Sequence, residues 1–261
     1  MTDLTPLDTA HAGMEAAPED DTARLRFYER LADSELMLLL TEEARDDTAN
    51  PRLFETSSGT FVLAFDREDR LTRFTGEPAP YLALSGRSLA GMLAGQGVGL
   101  GLNLDVAPSE ILIPAGALDW LTDTLTHAPD VIDGDIAELR APGNLPDHLL
   151  AALDTKLATT SGLADHAYLA GTRDVQGGVG HVLAFIGAPD KAQPALAAAV
   201  GEALTFSGIE AGTLDVAFFK ASDPIAARLA RTGLRFDLPK PPEPQTRPAP
   251  GSNPDKPPIL R

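Results

Sequence analysis

The chain contains no cysteine. That excludes disulfides, thiolate nucleophiles and cysteine-ligated metals. Positive charge is scarce: 21 Lys and Arg stand against 38 Asp and Glu, for a net charge of −17. Such a surface repels phosphate backbones and anionic membranes, so neither nucleic acid nor lipid is expected as a partner. The first 21 residues carry Asp3, Asp8, Glu15, Glu19, Asp20 and Asp21 with no Lys or Arg, so no secretory leader is expected. Long apolar runs are missing as well. The most apolar stretch, Leu36 to Leu40, has five residues, against the ~20 needed to span a bilayer. A cytoplasmic protein is expected.

What is present is enough apolar material to fold. With 43% hydrophobic and 23% charged residues in a chain of 261, a buried core is feasible and two domains of roughly 100–130 residues are expected. Residues 1–21 read as an acidic disordered terminus. From residue 22 the pattern turns regular: Leu25, Tyr28 and Leu31 recur at helical spacing, and Glu35 to Thr41 reads as a buried strand. Arg52–Thr56 and Phe61–Phe65 follow as a hairpin around Ser57-Ser58-Gly59, then a short helix over 68–74, a strand at 81–84 and a helix from Arg87 capped by Ser85. In Gly97–Leu104 the alternation is strict, with Val98, Leu100, Leu102 and Leu104 on one face and Gly99, Gly101 and Asn103 on the other. Glycines on one strand face let something approach the backbone, a packed helix or a ligand. Ile111–Ile113 is a further strand, and Pro114 opens a helix with Leu118, Leu121 and Leu125 as its stripe and Trp120 at the core edge.

Residues 128–135 read as a solvated joint between halves. The second half, 135–238, runs strand (136–141), helix (146–159), two strands (165–175 and 180–186) around Gln176-Gly177-Gly178-Val179, helix (190–204) and strand (214–219). That order, β-α-β-β-α-β, is the ferredoxin-like or split-βαβ arrangement; a short helix from Asp223-Pro224 and an edge strand at 234–238 follow. The fold expected is thus α/β and α+β: a sandwich-like mixed α/β domain over 22–128, then a ferredoxin-like domain. The last segment, 239–261, contains nine prolines. It reads as an extended, disordered tail with PxxP spacing.

Catalytic signatures fail one by one. Gly97–Leu104 lacks the third glycine of a dinucleotide fingerprint and lies inside a strand pattern. The 128–135 stretch puts Pro129, Val131 and Arg140 where a calcium loop needs acids. The five histidines make no HxxH or HExxH spacing, and neither GxSxG nor GxxxxGK[ST] occurs. Two constellations remain. A turn at Gly177-Gly178 places His181 opposite Asp174, a pairing that orients a general base or forms a cross-strand ion pair. Arg67, Arg70 and Arg73 recur at a spacing of three, among Asp66, Glu68 and Asp69, as a guanidinium face for an anion or a solvated mixed-charge surface.

The strings Phe61–Asp66, Arg67–Phe74, Gly97–Asn103 and Ile111–Pro114, in that order, resemble the amino-terminal domain of the SseB-like family, named for an enhanced-serine-sensitivity phenotype. The resemblance covers about residues 22–125, and the second half is similar in layout to the carboxy-terminal domain that often accompanies it. Asp66 stands where the family often has Thr, and Leu104-Asp105 replace its Pro-Gly. The resemblance implies a fold and no established reaction. The expected function is therefore a non-catalytic interaction or regulatory module with a protein partner and no cofactor or metal. The alternatives are a small-molecule sensor for an amino acid or anion, and an enzyme using His181 and Asp174. Candidate ligand or partner contacts are Gly99, Gly101, Asn103, Arg70 and Arg73.

Overall fold

A computed structural model describes residues 4–44, 49–126, 131, 138–143, 145–173, 179–209 and 214–240. The chain begins with two helices, α1 (Pro6–Ala16) and α2 (Asp21–Asp33). The first corrects the expectation of a disordered start. Thr5 accepts from the Asp8 amide while the Asp8 carboxylate accepts from the Thr5 amide, and Pro6 occupies the first turn. That reciprocal cap satisfies two orphan donors, and Leu7 is buried beneath it.

A mixed sheet follows, built from β1 (Glu35–Leu39), β2 (Leu53–Thr56), β3 (Gly59–Phe65), β4 (Tyr81–Ser85), β5 (Val98–Leu102) and β6 (Ile111–Ile113), with α3 (Glu68–Thr75), α4 (Gly86–Leu93) and α5 (Ala115–Thr126) between and after them. The strand order is β4-β1-β3-β5-β6, with β2 continuing β1 along the same edge of β3. Only β3 and β5 run parallel; every other neighbour is antiparallel. Alternation divides the strands between two cores. Leu36, Leu38, Val62, Ala64, Leu100 and Leu102 cluster with Phe27, Leu31, Leu89, Leu118 and Leu121 of α2, α4 and α5. On the other face, Leu39, Leu63 and Phe65 meet Leu71 and Phe74 of α3.

The second half holds β7 (Glu138–Arg140), α6 (Asp147–Leu157), β8 (His166–Arg173), β9 (Val179–Ile186), α7 (Gln193–Phe206), β10 (Asp215–Phe219), α8 (Pro224–Thr232) and β11 (Leu234–Asp237). Helices and strands alternate as expected, and the mixed α/β class stands. The ferredoxin-like detail does not describe this sheet. A split βαβ unit keeps a strand between the two that a helix connects. Here β9 and β10, joined by α7, are direct parallel neighbours in the order β10-β9-β8, and β7 and β11 share the far edge of β8. Element order does not encode pairing. A three-residue β7 covers only the end of β8 and leaves room for β11. The expected joint at 128–135 lies outside the described residues apart from Val131, as does the tail beyond Lys240.

Helix α7 connects the halves. One side packs Leu196, Val200 and Leu204 onto Leu149, Leu153 and Leu157 of α6 and onto Leu169, Leu183 and Phe185 of the sheet. Its end sends Phe206 into the core of the first half, beside α2 and α5. Close approach also fixes α4 against α2. The Gly86 amide donates to the Ser34 carbonyl at 2.8 Å, and a methyl group at Gly86 would overlap the Leu31 carbonyl. Backbone cannot yield as a flexible side chain does, so Gly86→Ala is expected to lower stability by about 1–3 kcal/mol or more, measured as a fall in the urea midpoint.

Candidate functional site

Among the described residues two polar clusters are buried, one inside the first half and one between the halves. The first gathers where the parallel strands β3 and β5 end. Asp66 follows Phe65 directly, and Asn103 follows Leu102 with φ +50°, a left-handed conformation that Asn tolerates better than most residues. Asn103 Oδ1 accepts from the Asp66 amide at 3.1 Å and Nδ2 donates to Ser109 Oγ at 2.9 Å. Arg70, one turn into α3 and 1% exposed, donates from one terminal nitrogen to Asp66 Oδ1 (2.8 Å) and Asp8 Oδ1 (3.0 Å), and from the other to Asp8 Oδ2 (2.5 Å). Ser109 Oγ donates to Asp8 Oδ1, and the Thr5 hydroxyl donates to Asp66 Oδ2 at 2.7 Å. Burial alone would raise the Asp8 carboxyl. The bonds from Arg70, Ser109 and the Thr5 amide outweigh it and hold Asp8 well below the usual carboxylate range. Among the described residues, Arg70 Nε is the one buried side-chain polar atom without a hydrogen-bond partner.

The residues singled out from sequence therefore separate. Arg70 and Asn103 come together through Asp66, Ser109 and Asp8. Arg73 points outward, donating to the Val106 carbonyl at 3.2 Å and facing Asp69 at 3.8 Å. Arg67 pairs with Asp69 on the same exterior. The face of Gly99 and Gly101 is filled by the adjoining strand. Added methyl groups there would meet the Phe61 ring and the Ile113 carbonyl, and Leu63 and Leu104, respectively. The expected cover was a packed helix or a ligand; Phe61 and Leu63 of β3, with Leu104, supply it instead. His181 faces Gly171, in a β8–β9 ladder that runs over the described residues from His166–Ile186 to Arg173–Val179. Its supposed partner Asp174 lies outside the described residues.

The second cluster was not read from sequence. Lys156 of α6 reaches across to α2, with Nζ 2.7 Å from Asp33 Oδ2, 2.7 Å from Glu202 Oε2 and 3.7 Å from Glu29 Oε1. Arg87 of α4 grips Glu202 through both terminal nitrogens (2.8 and 3.1 Å) and Asp33 at 2.5 Å. Asp33 ends α2, where the helix dipole disfavours an anion; two cations offset that. Burial would raise the Asp33 and Glu202 carboxyls. Attraction to Lys156 and hydrogen bonds from Lys156 and Arg87 hold both below their ordinary values. Lys156 is held above its ordinary value, since these carboxylates outweigh its own burial.

Glu29 is the exception. Burial pushes its carboxyl up, and Asp33 and Glu202 add to the rise against Lys156 and Arg30. A raised carboxyl destabilises the folded state above its unfolded pKa, ~4.3. Glu29→Gln is therefore expected to stabilise the protein at pH 7 and to make no difference once the pH falls below about 4. Melting temperatures across that range check both ends.

Beside this cluster an open cleft of about 690 Å³ separates α1 and α2 from α6, lined by Ala10, Ala23, Arg26, Arg30, His148 and Ala151 among others. Among the described residues no helix is long and apolar enough to cross a membrane, and no group of three or more His, Asp and Glu is placed to hold a metal ion.

No curated protein and no solved structure matches the chain. Residues 10–120 match the family model of the SseB protein N-terminal domain. That segment contains the whole β4-β1-β3-β5-β6 sheet together with Asp66, Arg70, Asn103 and Ser109. Over that stretch the first half of this chain is similar to the SseB protein N-terminal domain.

Proposed function

We propose that the protein is a non-catalytic interaction module that seats a segment of a protein partner in the cleft between its halves. The cleft carries this reading. Its walls present Ala10 and Ala23 on one side and Ala151 and Ala152 on the other, small residues that leave room for an inserted helix. Arg26, Arg30 and His148 stand around it to fix orientation, the layout of helix-in-groove recognition. The Lys156 network supports the reading because it holds α2 and α6 at a set spacing, so partner binding costs little reorganisation. Pull-down from cytosol at mild salt tests it, with the full chain, the Ala151→Trp variant and a chain ending at Lys240 as baits. Loss of a partner from Ala151→Trp alone is the expected result. Identical partner sets on all three baits would remove both the cleft and the tail.

Arg26 and Arg30, two cationic side chains at the cleft, favour a second reading, a sensor for an anion or amino acid. A ligand present at about 100 times its dissociation constant adds ~2.7 kcal/mol of stability, a rise that thermal shift detects easily. A flat response across an amino-acid and organic-acid panel would set this reading aside.

A further inference from the structure

Open α/β sheets place their ligands outside the carboxyl ends of parallel strands. In the first half those ends belong to β3 and β5, and a carboxylate is already seated there. It comes from α1: Asp8 takes both terminal nitrogens of Arg70 and the Ser109 hydroxyl, as a bound acid would.

Three observations set α1 apart from an ordinary core helix. The receiving groups Asp66, Arg70, Asn103 and Ser109 all lie inside the SseB domain match, whereas Thr5 and Asp8 precede its start at residue 10. Helix α1 is packed on one side only. Leu7, Asp8 and His11 are buried, while Pro6, Thr9, Ala10 and Gly13 line the open cleft. Finally, Arg70 Nε keeps a donor that α1 leaves unused.

We propose that α1 is a displaceable, intramolecular occupant of a carboxylate receptor built by the SseB domain, and that the receptor's partner in trans is an acidic helix start with a Ser or Thr cap and Asp three residues later. The chemistry of that partner is read from α1. Its cap hydroxyl satisfies Asp66, its carboxylate satisfies Arg70 and Ser109, and an apolar residue between them joins the buried cluster as Leu7 does. A small free acid would meet Arg70 and Ser109 but leave Asp66 Oδ2 and the place of Leu7 unfilled, so the peptide is favoured. This inference goes beyond the cleft reading, since its probe is the chain's own segment and not an unidentified partner.

The test titrates a fluorescent peptide of residues 4–17 with the full chain, as wild type and as Asp8→Arg. Arginine at position 8 sets a cation against Arg70 and expels the tethered helix while leaving the receptor groups in place. Saturable binding to Asp8→Arg is expected. Binding at least tenfold weaker is expected to wild type, where the tethered helix competes at high effective concentration, and for a peptide carrying Asp8→Asn. Should Asp8→Arg fail to melt cooperatively, hydrogen exchange on the wild type decides, with α1 amides expected to exchange at least tenfold faster than those of β3 and β5. The proposal is overturned by absent binding to folded Asp8→Arg or by equal binding of the Asp8→Asn peptide. It is likewise overturned by α1 protected as strongly as β3, or by a receptor that takes acetate and not the peptide.

Discussion

Replacing Arg70 by Met is expected to cost about 3–5 kcal/mol, the usual penalty for removing one member of a buried ion pair. Methionine keeps most of the apolar stem, so the loss falls on the charges. Asp8 would retain only the Ser109 hydroxyl and the Thr5 amide, and Asp66 the Thr5 hydroxyl and the Asn103-tethered backbone. Urea unfolding reads the effect as a lower midpoint at unchanged slope. The pH dependence gives an independent check. The Asp8 carboxyl is held below its ordinary value in the folded wild type, so its stabilisation is complete above the unfolded pKa, ~3.9 for Asp, and is lost progressively as the pH falls below that value toward the lower folded pKa. In Arg70→Met the same carboxylate is an unpaired buried anion, and protonation relieves it. The gap between the two proteins is therefore expected to shrink below about pH 4. A gap that stays constant down to pH 3 would show that lost packing, not charge, makes Arg70 important. Restoring balance supplies a third check: the double variant Arg70→Met/Asp8→Leu is expected to be more stable than Arg70→Met alone, because no carboxylate from α1 is then stranded.

Periodicity made most of the elements legible. The alternation of Val98, Leu100 and Leu102 is a strand, Pro114 precedes a helix carrying Leu118 and Leu121, and Leu149, Leu153 and Leu157 line one face of α6. Pairing was less legible, because it depends on contacts far apart in sequence. A tight turn at Gly177-Gly178 implies that His181 faces Asp174, three residues from the Gly171 it faces in the structure. Charge alone misreads the start of the chain. Its acidic composition suggested disorder, yet Thr5-Pro6-Leu7-Asp8 spells a helix cap, and Leu7, His11 and Met14 repeat at the spacing of one helical face. The inter-half cluster also left a mark. Lys156 lies beside Leu157 on the face opened by Leu149 and Leu153, and Glu202 is the only charge between Pro194 and Phe206 in α7. A lone cation and a lone anion on two apolar helices are a reason to look for each other. What no local pattern carries is the third and fourth members, Asp33 and Arg87, which arrive only through the tertiary fold.

That cluster yields the second large effect. Lys156→Met is expected to cost about 3 kcal/mol, at the low end for a broken buried pair, because Arg87 stays on Glu202 and Asp33. Arg87→Met is expected to cost only about 1 kcal/mol. Its side chain is 40% exposed against 5% for Lys156, so solvent already screens part of its attraction. The order follows from burial and not from bond count, since Arg87 makes at least as many close contacts to the two carboxylates as Lys156 does. Salt separates the two further. At 1 M the screening length falls to about 3 Å, which should erase much of the Arg87 effect and little of the Lys156 effect. Because Lys156 and Glu202 belong to the second half while Asp33 and Arg87 belong to the first, the lost energy is coupling between halves. Hydrogen exchange in Lys156→Met should accordingly rise in α2 and α6, which flank the cleft, before it rises in β3 or β9. Uniform acceleration across both sheets would mean that the network stabilises each half separately, and the cleft would then owe its spacing to the packing of α7 against α2 and α5.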